Sequence, residues 1–271
     1  MERTIIRPNI LSRTAGLTLC ALSIGARSQD ADELAKQLSN PIASLTSVPL
    51  QLNYDEGYAG GGQKFLLNVQ PVIPVSIIES WNMISRTIVP LISQEDVPAG
   101  TGSASGVGDV LQSLFFSPKA LTASGWTWGV GPALLFPSAT DDLLGAEKWA
   151  AGPTAVALKQ TAGGWTYGAL VNHLWSYAGE DDRADIESTF LQPFLTRGLG
   201  QGRTLSFNFE STYDWEREQW TVPFNVGYSK VTKLGSQLVS YQAGVRYYFE
   251  TPDGGPDWGV RFAFTLLYPK R

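Results

Sequence analysis

Residues 120–140, ALTASGWTWGVGPALLFPSAT, decide how this chain is read. The stretch carries no charge and is long enough for a membrane helix. Gly125, Gly129, Gly131, Pro132 and Pro137 would break such a helix. A period of two fits instead: Trp126, Trp128, Val130, Pro132, Leu134 and Phe136 fall on one face, and Thr127, Gly129, Gly131, Ala133 and Leu135 on the other.

The alternation continues in both directions. Leu205, Phe207, Phe209 and Tyr213 oppose Ser206, Asn208, Glu210 and Thr212, while Trp258, Val260, Phe262, Phe264, Leu266 and Tyr268 oppose Gly259, Arg261 and Thr265. Twelve such segments are expected, near 45–54, 63–74, 81–92, 107–117, 126–136, 149–159, 165–176, 187–197, 204–213, 220–230, 238–249 and 258–268. An even number closes an antiparallel barrel. Strands of about 10–12 residues, tilted by about 40°, span about 25–28 Å, the height of an outer-membrane apolar band. The fold class expected is therefore all-β: an antiparallel transmembrane β-barrel of about twelve strands over residues 42–271.

Tryptophan placement agrees. Trp81, Trp126, Trp128, Trp149, Trp165, Trp220 and Trp258 fall at or near segment starts and Trp175 near an end, where interfacial girdles belong; Trp215 falls in a connection.

Two segments precede the barrel. Arg3, Arg7 and Arg13 ahead of the apolar run Ala15 to Ala26, closed by Ala26-Arg27-Ser28, read as a signal peptide over residues 1–28. Cys20 follows the bulky Leu19, a poor context for lipid attachment. Removal of that segment takes away the only cysteine, four arginines and one glutamate, moving the formal net charge from −5 to −8. Residues 29–41 then read as a short helix, with Asp30, Asp32 and Glu33 in its first turn, Leu34 and Leu38 four apart, and Asn40-Pro41 as a stop. It is expected at the periplasmic mouth or inside the lumen.

Charge narrows the function classes. Only 17% of residues are charged, and no basic run follows a phosphate backbone, so no nucleic-acid partner is expected. One His and one Cys exclude a conventional zinc site, and neither a metal nor a cofactor is expected. With a periplasmic N-terminus, the connections assigned to the outer side, taken to include Asp55, Glu56, Glu95, Glu187 and Asp214, hold eighteen of the twenty-four mature acids. That rim reads as a solvated face, or as a site for divalent cations shared with lipopolysaccharide phosphates.

Several motifs carry a family resemblance. Residues 33–45 (ELAKQLSNPIASL), 67–74 (LNVQPVIP), 81–88 (WNMISRTI), Gly108-Asp109 with 115–119 (FFSPK), 129–132 (GVGP) and 266–270 (LLYPK) resemble the bacterial outer-membrane "transporter" family, often labelled as belonging to the MetA-pathway of phenol degradation, with some members named neuromedin U. The likeness spans nearly the whole mature chain. It implies an outer-membrane barrel that passes small, in particular aromatic, molecules. Pro269-Lys270-Arg271 follow Tyr268, which departs from the aromatic last residue common among such barrels.

The candidate solute path lies on the inward faces. Arg86, Arg246 and Arg261 project there with Glu210, Gln70, Asn208, Asn225 and Gln242, and with Asn68 and Gln192. Two arrangements fit: a basic stripe favouring anionic solutes such as aromatic carboxylates, or a bracing network in which the arginines pair with Glu210 and with Asp109. Twelve strands are intermediate between a filled eight-stranded barrel and an open sixteen-stranded porin, so a narrow pore is expected. The function expected is a passive channel for small solutes, with outer-membrane lipid, lipopolysaccharide and the barrel-assembly machinery as partners. A structural or adhesin-like barrel is the alternative. A lipid-modifying enzyme centred on the outward His173, with Ser176 near it, is the third reading; no nucleophile signature surrounds that histidine, and no catalytic residue is assigned.

Overall fold

A computed structural model describes Met1 and residues 31–269; apart from Met1, the signal peptide expected over 1–28 lies outside them, as do Lys270 and Arg271. Twelve antiparallel staves close into one barrel. Eight are unbroken: β1 (Thr46–Glu56), β4 (Trp81–Glu95), β7 (Trp126–Phe136), β8 (Lys148–Gln160), β9 (Trp165–Gly179), β10 (Glu187–Gly200), β15 (Gln237–Tyr248) and β16 (Trp258–Tyr268). Four are each interrupted once, into β2 (Gln63–Val69) with β3 (Val72–Ile78), β5 (Ser103–Val107) with β6 (Val110–Pro118), β11 (Arg203–Phe209) with β12 (Ser211–Asp214), and β13 (Gln219–Thr221) with β14 (Pro223–Leu234).

The interruptions have local causes. Pro71 lacks the N–H that would continue the ladder between β2 and β3, and Pro223 follows the break at Val222. At Gly108-Asp109 the pairing with β4 slips by one residue, from Leu91↔Val107 to Ile88↔Leu111, which is a bulge. At Glu210 the pairing with β10 passes through unshifted, from Phe194↔Asn208 to Leu191↔Ser211. Closure comes from β1 against β16, continuous from Thr46↔Tyr268 to Glu56↔Trp258.

No described helix is long and apolar enough to cross a membrane; the strands supply the crossing surface. Ile73, Val75, Leu91, Phe116, Val130, Val171, Leu191, Leu195, Tyr241, Val245, Phe262 and Phe264 are exposed on the outside. Aromatic clusters flank this belt. At one end Trp81 meets Trp128 edge-on at 5.8 Å, Trp126 meets Tyr167 at 5.8 Å, and Arg197 covers Trp165 at 5.0 Å. At the other, Phe136 meets Trp149, Tyr213 meets Trp215 and Trp220, and Trp258 and Trp175 stand exposed.

The inside is not uniformly polar. From β4 round to β10 the inward residues Ile84, Phe115, Val156, Leu158 and Leu170 form a buried apolar cluster, joined by Val72, Phe190 and Phe194. Ala133, Ala150 and Leu174 continue it. The remaining half, from β10 through β16 and β1 to β4, carries the inward arginines with Asp55 and Glu210, although single polar residues such as Asn82, Ser113, Thr154 and Asn172 are buried among the apolar half as well.

Residues 31–38 form helix α1, consistent with the acids in its first turn and the Leu34/Leu38 spacing. The Asn40 side chain closes the turn by accepting from the Ile42 amide at 3.0 Å. Leu34, Ala35 and Leu45 pack against Val231 and Leu267 on the inner wall, and Ile42 enters the apolar cluster. Three bonds fix the segment: Gly202 N–H to Asp32 Oδ1 (2.6 Å), Gln160 Nε2 to the Lys36 carbonyl (2.8 Å) and Asn82 Nδ2 to Ser44 Oγ (2.9 Å). α1 and residues 40–45 thus occupy one end of the lumen.

Candidate functional site: the lumenal charge cluster

β16 places Arg261 and β15 places Arg246 on inward positions, opposite Asn53 and Asp55 of β1 and Glu210 between β11 and β12. Arg261 donates through Nη1 and Nη2 to the two oxygens of Glu210 at 2.8 and 2.7 Å, a bidentate pair, and through Nε to Asn53 Oδ1 at 2.7 Å. Arg246 Nη1 pairs with Asp55 Oδ2 at 3.2 Å, and Nη2 lies 3.9 Å from Glu210. Both guanidinium groups, Asn53 and Asp55 are buried.

Arg86 stands apart. Its Nη2 donates to Gln70 Oε1 at 2.9 Å, and among the described residues it makes no ion pair. Asn225 Nδ2 donates to Asn208 Oδ1 (2.9 Å), Gln242 Nε2 to Ser206 Oγ (3.1 Å), and Gln192 makes a long 3.5 Å contact to Glu210. Cross-strand pairing with Asp55 puts Lys64 on the same inner face. The inward half-wall therefore sets four cations, Lys64, Arg86, Arg246 and Arg261, against two carboxylates, Asp55 and Glu210.

The structure corrects the sequence-based view here. Asp55 was expected in an outer connection; it continues β1, faces inward and is buried. Glu56, Glu95, Glu187 and Asp214 also lie within strands and not in loops. Asn53, Asp55 and Lys64 were missed as lumenal residues, although Gln51, Asn53 and Asp55 are spaced by two and extend the polar face. Among the described residues Asp109 braces no arginine: its carboxylate accepts from the amides of Ala139 (3.2 Å) and Ala146 (2.7 Å), holding the loop between β7 and β8.

At the end opposite α1, the loops are tied by Lys148 to Asp185 (3.2 Å), by Arg183 to Glu147 (3.1 Å), and by Arg183 to the carbonyls of Asp142 (2.8 Å) and Gly145. The bonds from Lys148 and Ser176 hold the Asp185 carboxyl below the usual aspartate range. Among the described residues no three His, Cys, Asp or Glu side chains converge as a metal site. His173 faces outward: Nδ1 lies 2.7 Å from Thr189 Oγ1, the ring lies 4.0 Å from that of Trp175, and Trp215 Nε1 donates to the same Thr189 hydroxyl. Ser176 is not brought to it; that hydroxyl donates to Asp185 at 3.1 Å.

No family model matches the chain, and no curated protein matches it. Solved structures do. The COG4313 outer membrane channel from Pseudomonas putida F1 aligns with a TM-score of 0.67 at 15% identity, over 83% of this chain and 96% of that one. The β domain of the Bordetella autotransporter BrkA aligns at 0.45 and 10% identity, over 82% and 99%, and outer-membrane-expressed OmpT of Vibrio cholerae at 0.42 and 10%, over 83% and 96%. With its closed register, outward apolar belt and paired aromatic girdles, the chain is an antiparallel β-barrel of the bacterial outer membrane.

Proposed function

We propose that this barrel is a passive, non-enzymatic channel for small solutes, with the charged half of the lumen as the path and α1 with residues 40–45 as its constriction. The observation that carries the reading is the state of the lumenal polar groups. Arg246 Nε and Asn225 Oδ1 are buried without a protein partner among the described residues. Such atoms need water or a polar solute, and a wall built only for rigidity gains little from buried ion pairs compared with apolar packing. The family resemblance, to barrels associated with aromatic degradation, points the same way, and the surplus of two cations favours anions.

Planar-bilayer recording of the mature chain tests this. Discrete, anion-favouring conductance is expected, and silence from a correctly folded barrel would sink the reading.

A further inference from the structure

We propose that Arg86 is the anchor of a ligand site in the lumen, one that takes a compact monocarboxylate with an apolar body. The inference deepens the channel reading and rests on it for the ligand's route.

Of the three lumenal arginines only Arg86 lacks a carboxylate partner among the described residues, because Glu210 is held by Arg261 and Asp55 by Arg246. Beside Arg86 lies a cavity of about 240 Å³ between the N-terminal segment and the wall. At about 30 Å³ per water it has room for roughly eight waters, or for one substituted ring.

Its lining mixes two chemistries. Arg86, Gln70, Gln192 and Asn208 share the wall with Val72 and Phe194, Val72 standing cross-strand from Arg86 and Phe194 from Asn208, while the N-terminal segment adds Leu38 with polar Gln37, Ser39 and Asn40. The wall's polar members are a donor set. Gln70 Oε1 is occupied by Arg86, and Asn208 Oδ1 by Asn225, which leaves the NH₂ groups of Gln70 and Asn208 with no acceptor among the described residues. A guanidinium with two amide donors, and no carboxylate lining the cavity, suits one carboxylate group and not a cation. Val72 and Phe194, next to those donors, belong to the margin of the Ile84–Phe115 cluster and receive a hydrocarbon or aromatic body. The cavity also sits against Leu38 and Pro41, so an occupant would touch the constricting segment itself.

Benzoate titrated calorimetrically into the full chain, folded in detergent micelles, tests the site, with benzyl alcohol as its uncharged counterpart. Saturable benzoate binding is expected for the wild type and for Arg203→Gln, which changes a basic residue elsewhere. Binding should weaken about tenfold or more in Arg86→Gln, and benzyl alcohol should bind the wild type correspondingly weakly. Equal benzoate affinity in wild type and Arg86→Gln, or no saturable binding to the folded wild type, overturns the proposal. Should Arg86→Gln fail to fold, Asn208→Asp, which places a negative charge in the cavity, must weaken benzoate binding by a similar factor; unchanged affinity overturns the site. A barrel that conducts ions and ignores benzoate refutes the site alone. One that binds benzoate through Arg86 and stays silent in bilayers refutes the channel and leaves the site standing.

Discussion

Arg261 satisfies three acceptor atoms at once, two on Glu210 and one on Asn53, while itself buried. Replacing it by Gln leaves Glu210 with only the distant Arg246 contact and the long bond from Gln192. We expect Arg261→Gln to cost about 3–5 kcal/mol, read from denaturant unfolding in lipid vesicles, because an uncompensated buried charge outweighs the value of the pair itself. Ion selectivity, read as the reversal potential under a salt gradient, should move toward cations. At the rim, Asp185 supplies a pH dependence with a defined sign. Its folded value is depressed below 3.8 by the bonds from Lys148 and Ser176, so its contribution is present at neutral pH and is lost as pH falls through the folded value. The difference in melting temperature between wild type and Asp185→Asn should therefore shrink on acidification below that range. Because Asp185 is exposed, it should shrink with added salt as well.

α1 and residues 40–45 are bound to the wall by apolar contact as much as by hydrogen bonds. Leu34→Asp would put a charge among Leu45, Val231 and Leu267. Undocking of the segment should follow, seen as larger single-channel conductance with the barrel's melting temperature little changed. Among the strands, Gly131 illustrates close approach: a Cβ there would meet the Leu114 carbonyl of β6. Gly131→Ala should destabilise by about 1–3 kcal/mol, as overpacking does, measured by thermal unfolding. Strand identity was legible because lipid outside and Gly or polar residues inside enforce a period of two. Strand ends were less so. Asp55 has the composition of a loop residue, and only Arg246 on β15, far away in sequence, makes it a wall residue. The breaks at Pro71, Gly108-Asp109, Glu210 and Val222 escaped for a related reason: a ladder with neighbours on both sides carries a local defect without ending the stave.

Closure is the property of the whole barrel that most constrains its behaviour. β1 and β16 share an unbroken eleven-residue register, so hydrogen exchange along this seam should be as slow as along β8 and β9; fast exchange confined to the amides of Leu50, Leu52 and Tyr54, which face β16, would contradict a closed barrel. The twelve-stave plan could be read from the sequence, since it needs only counting. The division of the lumen into an apolar and a charged half could not, because inward Ile84, Phe115, Leu158 and Leu170 carry no mark that separates them from lipid-facing neighbours. That division makes the wall mechanically uneven. Bilayer lateral pressure acts on the full circumference, yet the sector backed by the packed cluster of Ile84, Phe115, Leu158 and Leu170 has the low compressibility of a protein interior. A change in membrane tension or thickness should then be taken up by the rest of the circumference before the cross-section yields beside Phe115.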